Sequence, residues 1–137
     1  MPKINYGLTE LYSQLPMIPL ARPYVAVRLQ YGGNYYDTMG LIDSGADSSL
    51  FNEQFASVLG LDLSQGQTGS SLGLGGTAPV VYFGIFLTVR GKRFSANVGF
   101  TKGIGPQFGL LGRRDFFQVF LVGFDQPSQQ FFLHRLP

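Results

Sequence analysis

The sequence contains neither cysteine nor tryptophan, and its 137 residues include a single histidine. Without cysteine there can be no disulfide bond, no thiol catalysis and no thiolate metal site. One histidine supplies too few ligands for a histidine-based zinc site, and any Ser-His-Asp triad would have to use it. That residue, His134, lies near the C-terminus, where we expect a polar residue at the end of a strand.

Charged residues are also scarce, at 13% of the chain, whereas 45% of the residues are hydrophobic. This composition excludes a disordered chain and predicts one compact domain over residues 1–137. The net charge is only +2, and basic residues cluster only at 90–93 and 113–114. We therefore expect no nucleic-acid partner. A small nucleic-acid-binding β-barrel is the weaker alternative, with steeply salt-dependent affinity as its signature.

No apolar run in the sequence reaches the length that spans a membrane. The first 21 residues contain polar residues and three prolines where a signal peptide needs an unbroken apolar segment. We expect no membrane partner and a cytoplasmic location.

Short apolar and β-branched runs separated by turn residues predict an all-β fold. The predicted strands are 24–29, 35–42, 80–82, 85–89, 94–100, 120–125 and 131–135. Turns are predicted at Gly32-Gly33-Asn34, at Gly91-Lys92 and at 126–128, and Gly84 predicts a bulge or bend.

Helical spacing predicts a helix from Phe51 to Leu59 with Gly60 at its C-terminal end. A second short helix is predicted from Asp115 to Val119, with Asp115 as its N-cap. The polar segment 64–69 between these helices is expected to be exposed.

The segment Leu41–Asp47 contains the candidate catalytic residues, because a predicted strand ends there in Asp43-Ser44-Gly45. An Asp-(Ser/Thr)-Gly-Ala sequence arises by chance in roughly one chain in 200 of this length. An ordinary turn is the alternative, because Asp, Ser and Gly all favour turns. An aspartic protease needs two facing carboxylates, and this motif occurs once. The second carboxylate would have to come from another copy of the chain.

Three further features follow this motif in order. They are the glycine-rich Gly73-Leu74-Gly75-Gly76, the strand–turn–strand at 85–100, and Leu110-Leu111-Gly112-Arg113. Together the four features resemble the retropepsin-like aspartic proteases, the family of the retroviral protease and its small bacterial and archaeal relatives. The likeness covers about residues 22–125 and is greatest to the bacterial type, which shares Arg22-Pro23 and Phe116-Phe117.

The resemblance implies a single-lobed acid-protease barrel with a flap hairpin, one or two short helices and, in this chain, a C-terminal β-hairpin. It implies an aspartic endopeptidase that acts as a homodimer on an extended peptide or protein substrate. Asp43 of each subunit would form the catalytic dyad, and no metal or organic cofactor is implied. The alternative is a non-hydrolytic peptide-binding or dimerisation module on the same fold.

The resemblance also assigns roles to single residues. Asp43, Ser44 and Gly45 form the catalytic turn, in which the Ser44 hydroxyl bonds across the dimer axis. Substrate-binding roles fall to Ala46, Asp47 and the flap tip, Gly73, Leu74, Gly75 and Gly76. Structural support comes from Leu111, Gly112 and Arg113, and a partly buried Asp47–Arg113 pair is expected.

The chain departs from the retroviral pattern at two places. One extra residue stands in Arg113-Arg114-Asp115, which leaves open whether Arg113 or Arg114 pairs with Asp47. Retroviral proteases also end in one strand that interleaves with the partner's termini, whereas this chain continues into a predicted hairpin over 120–135. Whether the first twenty residues join a dimer sheet is open as well.

Overall fold

The computed structural model describes residues 7–16, 20–73 and 76–137, and strands dominate these ranges. The strands are β1 (Leu8–Leu11), β2 (Tyr24–Tyr31), β3 (Asn34–Ile42), β4 (Leu50–Asn52), β5 (Gln67–Gly73), β6 (Gly76–Val89), β7 (Lys92–Thr101), β8 (Gly109–Leu111), β9 (Phe120–Asp125) and β10 (Gln130–Arg135). The helices are α1 (Gln54–Val58) and α2 (Phe116–Val119), with a 3-10 turn at Leu63–Gln65. None of the described helices has the length and hydrophobicity needed to cross a membrane.

A closed barrel forms the centre of the molecule. Its strands follow the order β2-β3-β8-β4-β7-β6, and β2 also pairs with β6, which closes the ring. Strand β5 lies outside this ring and pairs with β6 alone among the described strands. The predicted all-β, single-lobed barrel with short helices and a C-terminal hairpin is therefore confirmed.

Alternating side chains fill the barrel, as the twofold period of a strand requires. In β2 the inward residues Val25, Val27 and Leu29 are buried, while Ala26 and Arg28 are exposed. The same alternation runs along β7 from Arg93 to Val98, after which the strand is buried on both faces. The core continues past residue 125, because Phe131 and Leu133 of β10 belong to the same buried cluster.

Strands β1, β10 and β9 form a second sheet, which we call the terminal sheet. Leu8 of β1 lies opposite Leu133, and Leu133 lies opposite Val122 of β9. All pairings in this sheet are antiparallel and join segments of one chain. The N-terminal strand thus adds to the predicted C-terminal hairpin, although no strand was predicted at residues 8–11.

The turn between β6 and β7 is formed by Arg90 and Gly91, one residue earlier than predicted. Both residues have positive φ values, 48° and 78°. Two positive φ values are typical of the tight turn whose twist matches that of an antiparallel hairpin. This requirement shifts the turn so that Gly91 takes the second central position.

The predicted helix at 51–59 is wrong in its first part. Phe51 belongs to β4, is fully buried and lies opposite Phe100 in parallel pairing with β7. Strand pairing in the core overrides the helical spacing there, and the helix begins only at Gln54. Gly60, with φ of 77°, follows the helix, and its N–H donates to the carbonyl of Ser57.

The bulge predicted at Gly84 is absent, whereas the exposure predicted for segment 64–69 is confirmed. Strand β6 continues through Gly84, which lies opposite Asn97 with no slip in register, so there is no bulge. The polar segment 64–69 is exposed as expected, but Gln67 to Gly69 begin strand β5. The polar side chains of this segment did not predict a strand. The strand forms because the backbone of β5 pairs with that of β6.

Candidate active site

Asp43 directly follows β3, at the point where Ile42 lies beside Leu111 of the parallel strand β8. The Asp43 N–H donates to the carbonyl of Leu111 at 3.1 Å, and the Asp43 carbonyl accepts from the Ala46 N–H at 3.1 Å. Its side-chain Oδ1 accepts the Gly45 N–H at 2.8 Å. The carboxylate is half-buried and fixed by its own turn.

The residues of this turn leave the carboxylate open on one side. Ser44 and Gly45 are exposed. A Cβ atom at Gly45 would lie 3.1 Å from Oδ1 of Asp43, which is closer than ordinary van der Waals contact. Glycine at this position therefore avoids a tight contact with the Asp43 carboxylate.

The segment after β8 holds the active-site turn through backbone hydrogen bonds. The Arg113 N–H donates to the Ala46 carbonyl at 2.9 Å, and the Arg114 N–H donates to the Asp47 carbonyl at 2.8 Å. Gly112 packs so closely that a Cβ there would lie 2.5 Å from the carbonyl carbon of Ser48. This contact explains why glycine follows the two leucines of the motif.

A buried pair that the sequence did not reveal connects this region to α2. The Ser49 hydroxyl donates a short hydrogen bond to Oδ1 of Asp115, and the Gly112 N–H donates to Ser49 Oγ at 3.0 Å. Asp115 Oδ1 also accepts the Phe116 N–H at 2.6 Å, as its predicted N-cap role requires. The sequence predicted the N-cap role of Asp115, but nothing near Ser49 indicated that its hydroxyl would bond to Asp115.

Burial determines the electrostatics of Asp115. It raises the pKa of the Asp115 carboxyl, and the hydrogen bonds from Ser49 and Phe116 oppose this shift. Within the described residues, Asp115 Oδ2 is buried without a hydrogen-bond partner. An ionised Asp115 would therefore leave part of its charge unsatisfied in the interior.

Arg113, and not Arg114, makes the ion pair with Asp47, with 3.6 Å between Nη1 and Oδ1. The side chains are 63% and 72% exposed, so the expectation of a partly buried pair is wrong. The extra residue before Asp115 leaves Arg113 at the surface, while Asp115 turns inward. An exposed pair of this kind contributes little to stability and leaves both groups accessible to a ligand.

Comparison with protein families agrees with this geometry. Residues 27–114, more than half of the chain, match the family described as aspartyl protease. The chain belongs to the retropepsin-like aspartyl proteases. The matched range includes the Asp43 turn, the β5–β6 hairpin and Arg113. No curated protein gives a significant match.

The residues assigned by resemblance fall into two groups in the structure. The structure brings Asp43, Ser44, Gly45, Ala46 and Asp47 together with Leu111, Gly112 and Arg113. Gly73 at the end of β5 lies opposite Gly76 at the start of β6. Leu74 and Gly75 lie outside the described residues.

The described ranges also contain no metal-binding cluster. No group of three or more acidic or histidine side chains there lies close enough to hold a metal ion. The Asp43-Ser44-Gly45 turn itself contains one carboxylate, one hydroxyl and backbone amides.

Proposed function

We propose that the chain is an aspartic endopeptidase active as a homodimer, with Asp43 of each subunit forming the catalytic dyad. The observation that carries the proposal is the turn-held, half-buried Asp43 carboxylate in a chain of the aspartyl protease family. The chain has one Asp-Ser-Gly sequence, so a facing carboxylate must come from a second subunit. A symmetric dimer places a residue opposite itself when that residue lies near the twofold axis.

Two facing carboxylates cannot both ionise easily, so the dyad holds one shared proton. The ionised carboxylate takes a proton from a water molecule, and that water attacks the peptide carbonyl carbon. The protonated carboxyl gives its proton to the leaving nitrogen, so that the C–N bond breaks. The two apparent pKa values belong to the pair rather than to either Asp43.

The substrate in this proposal is an extended peptide that lies between the active-site turns and the β5–β6 hairpin. Strand β5 forms the outer edge of the barrel sheet, and an extended peptide can add to such an edge as a further strand. The hairpin tip, Gly73 to Gly76, would act as the flap that excludes water. Ala46 and Asp47 lie beside the catalytic turn, where they would contact the peptide backbone.

The Ser44 hydroxyl has a separate role in the proposed dimer. Ser44 is exposed and directly follows Asp43. In the dimer it would donate a hydrogen bond across the twofold axis to the partner's turn. This bond would fix the distance between the two carboxylates, and no cofactor is needed for the reaction.

The decisive experiment measures cleavage of a diverse peptide library from about pH 3.5 to 7, where a carboxylate dyad changes protonation state. Wild type, Asp43→Asn and the control Asp37→Asn are compared, and sedimentation velocity gives the dimer fraction of each sample. Asp37 is an exposed carboxylate on β3, paired with Arg28. We expect cleavage by dimeric wild type and by Asp37→Asn, and none by Asp43→Asn.

Other outcomes discriminate among the alternatives. A dimer that binds peptides equally well with and without Asp43→Asn, and hydrolyses none, would be a peptide-binding module. A folded monomer that cleaves nothing would contradict the proposed dyad. Cleavage that persists in Asp43→Asn would place the chemistry elsewhere.

A further inference from the structure

Four neighbouring strands of the barrel, β3, β2, β6 and β7, present one continuous outward face. Residues directly opposite each other on paired strands have their side chains on the same side of the sheet. The intervening residues Leu29 and Leu87 are fully buried, so their sequence neighbours point to solvent. We call this surface the arginine–aromatic face; its first row is Asp37, Arg28, Thr88 and Arg93, and its second row is Tyr35, Gln30, Phe86 and Ser95.

Both arginines of the first row lie over rings of the second row. The guanidinium carbon of Arg28 is 4.1 Å from the centroid of the Tyr35 ring, and that of Arg93 is 3.9 Å from the centroid of the Phe86 ring. Tyr35 and Phe86 nevertheless remain 54% and 42% exposed. Because a guanidinium is planar, each pair offers two flat groups to a ligand that can stack.

Positive charge exceeds negative charge on this face. Asp37 is the only carboxylate in the two rows, and it pairs with Arg28 at 2.7 Å. Arg93 makes no ion pair among the described residues. An open depression of about 360 Å³ adjoins the first row and adds Arg90 to Arg28 and Thr88 in its lining. Arg90 itself pairs with Glu10 of β1.

These groups match the chemistry of a single nucleic-acid strand. Phosphate oxygens fit the forked donors of arginine. Unstacked bases bind to aromatic rings and to guanidinium planes. A duplex keeps its bases stacked inside, and an acidic peptide would use the arginines without using the rings. The combination of exposed rings and arginines therefore favours a single strand over either alternative.

We propose that the arginine–aromatic face binds single-stranded nucleic acid. Phosphates bind at Arg93 and in the depression lined by Arg28 and Arg90, and bases stack at Tyr35 and Phe86. DNA and RNA share these phosphates and base faces. The residues are dispersed between positions 28 and 93, which is why the composition alone led us to expect no nucleic-acid partner. Strand pairing brings them together.

The second row of the face lies apart from the candidate active site. Tyr35 stands near the start of β3, whereas Asp43 follows the end of that strand. At 3.3 Å per residue, the distance along the strand is roughly 25 Å. The proposal therefore goes beyond the aspartic protease reaction and does not depend on it.

The first test measures fluorescence anisotropy of a labelled oligothymidylate of about 15 nucleotides, near the upper limit of the length that a small barrel binds. Phe86→Ala and Arg93→Ala are compared with wild type. Their matched controls are Phe124→Ala, which removes an equally exposed ring on β9, and Lys102→Ala, which removes an exposed cation outside the face. Far-UV circular dichroism checks folding, and Phe86→Leu keeps apolar bulk without the ring.

We expect Phe86→Ala and Phe86→Leu to raise the dissociation constant about tenfold, because each loses one stacking surface. Arg93→Ala should raise it about fivefold and reduce its salt dependence, since one phosphate contact is lost. Both control variants should bind like wild type. Unchanged affinity in Phe86→Leu and Arg93→Ala would overturn the assignment of this face.

Asp37→Asn supplies a test that misfolding cannot imitate. The change removes the carboxylate that pairs with Arg28, so the arginine becomes free for a phosphate. We expect the variant to bind the oligonucleotide about threefold more tightly at low salt. Unchanged or weaker binding would contradict a phosphate contact at Arg28.

The last test identifies the class of ligand. An abasic strand with the same number of phosphates, the corresponding duplex and an oligoglutamate of equal charge compete with the labelled oligothymidylate. We expect all three to compete more weakly than the unlabelled oligothymidylate. Equal competition by the abasic strand would mean anion binding without bases, and tighter binding of oligoglutamate would make an acidic peptide the partner; either result, or no binding at low salt, would overturn the proposal.

Discussion

Ser49 and Asp115 lie 66 positions apart in the sequence and share a buried hydrogen bond next to the segment that supports Asp43. The Ser49 hydroxyl also accepts the Gly112 N–H, so one oxygen joins two neighbouring parts of the chain. Asp115 in turn caps the first residue of α2. The loop after the Asp43 turn, the end of β8 and the start of α2 are therefore held as one unit.

Replacing Ser49 with alanine should destabilise the fold. The change removes a donor from the buried Asp115 carboxyl and leaves the Gly112 N–H without its acceptor. Such losses cost about 2–3 kcal/mol in the free energy of unfolding. Urea denaturation measures the effect, with Ser48→Ala as the control for removing a neighbouring hydroxyl outside the network. Equal losses in both variants would contradict a special role for Ser49.

The raised pKa of Asp115 predicts a pH-dependent difference between wild type and Asp115→Asn. The folded chain holds this proton more tightly than the unfolded chain, in which the pKa of Asp115 is near its ordinary value of 3.8. The contribution of Asp115 to stability is therefore greatest below about pH 3.8 and falls as the pH rises through the raised pKa. Asparagine at position 115 does not titrate, so Asp115→Asn does not lose stability in this way as the pH rises.

We accordingly expect the free energy of unfolding of Asp115→Asn to increase relative to wild type as the pH rises from about 3 to 7. The gain is about 1.4 kcal/mol for each unit by which folding raises the pKa. Urea denaturation at several pH values measures the difference, in which contributions of all other carboxyls cancel. A difference that is constant with pH would contradict the raised pKa.

Gly112→Ala should be among the most damaging single substitutions in the chain. Its Cβ would lie 2.5 Å and 2.6 Å from the backbone carbon and oxygen of Ser48, which cannot move without displacing the catalytic turn. We expect a loss of about 3 kcal/mol. Gly84→Ala is the control, because nothing lies within 4 Å of its Cβ. Thermal unfolding of both variants should separate them clearly.

Asp47→Asn should leave stability nearly unchanged and alter substrate binding. The Asp47–Arg113 pair is highly exposed, and such pairs contribute less than about 1 kcal/mol. If Asp47 accepts a hydrogen bond from the substrate backbone, the variant should raise KM about fivefold and change kcat little. Steady-state kinetics on a cleaved peptide tests this. A large loss of stability with unchanged KM would instead make the pair structural.

Much of the barrel could be predicted from local patterns in the sequence. The alternation of Val25, Val27 and Leu29 indicates one buried face directly, and the glycine at position 91 marks a hairpin turn. Phe51 could not be placed in this way, because its strand is defined by pairing with β7, about fifty residues later in the sequence. The bulge predicted at Gly84 is absent for a related reason, since a strand tolerates glycine when both neighbouring residues continue the ladder.

The same distinction applies to the candidate site, which consists of a motif visible in the local sequence and of contacts between residues far apart in the sequence. Asp43-Ser44-Gly45 is a contiguous motif whose chemistry is visible in its residue types. Ser49 and Asp115 are both common polar residues, and only the folded chain reveals that they meet. The exposure of Arg113 was likewise unpredictable, because it follows from the direction in which the chain leaves β8.

The terminal sheet also determines where the chain enters and leaves the fold. Leu8 and Leu133 are direct neighbours on adjacent strands, so the first and last described strands lie side by side. A linker that joins these ends, with new termini opened at the exposed Arg90-Gly91 turn, would preserve every strand pairing in a circular permutant. By the same geometry, two copies of this domain could be encoded in tandem as a single polypeptide.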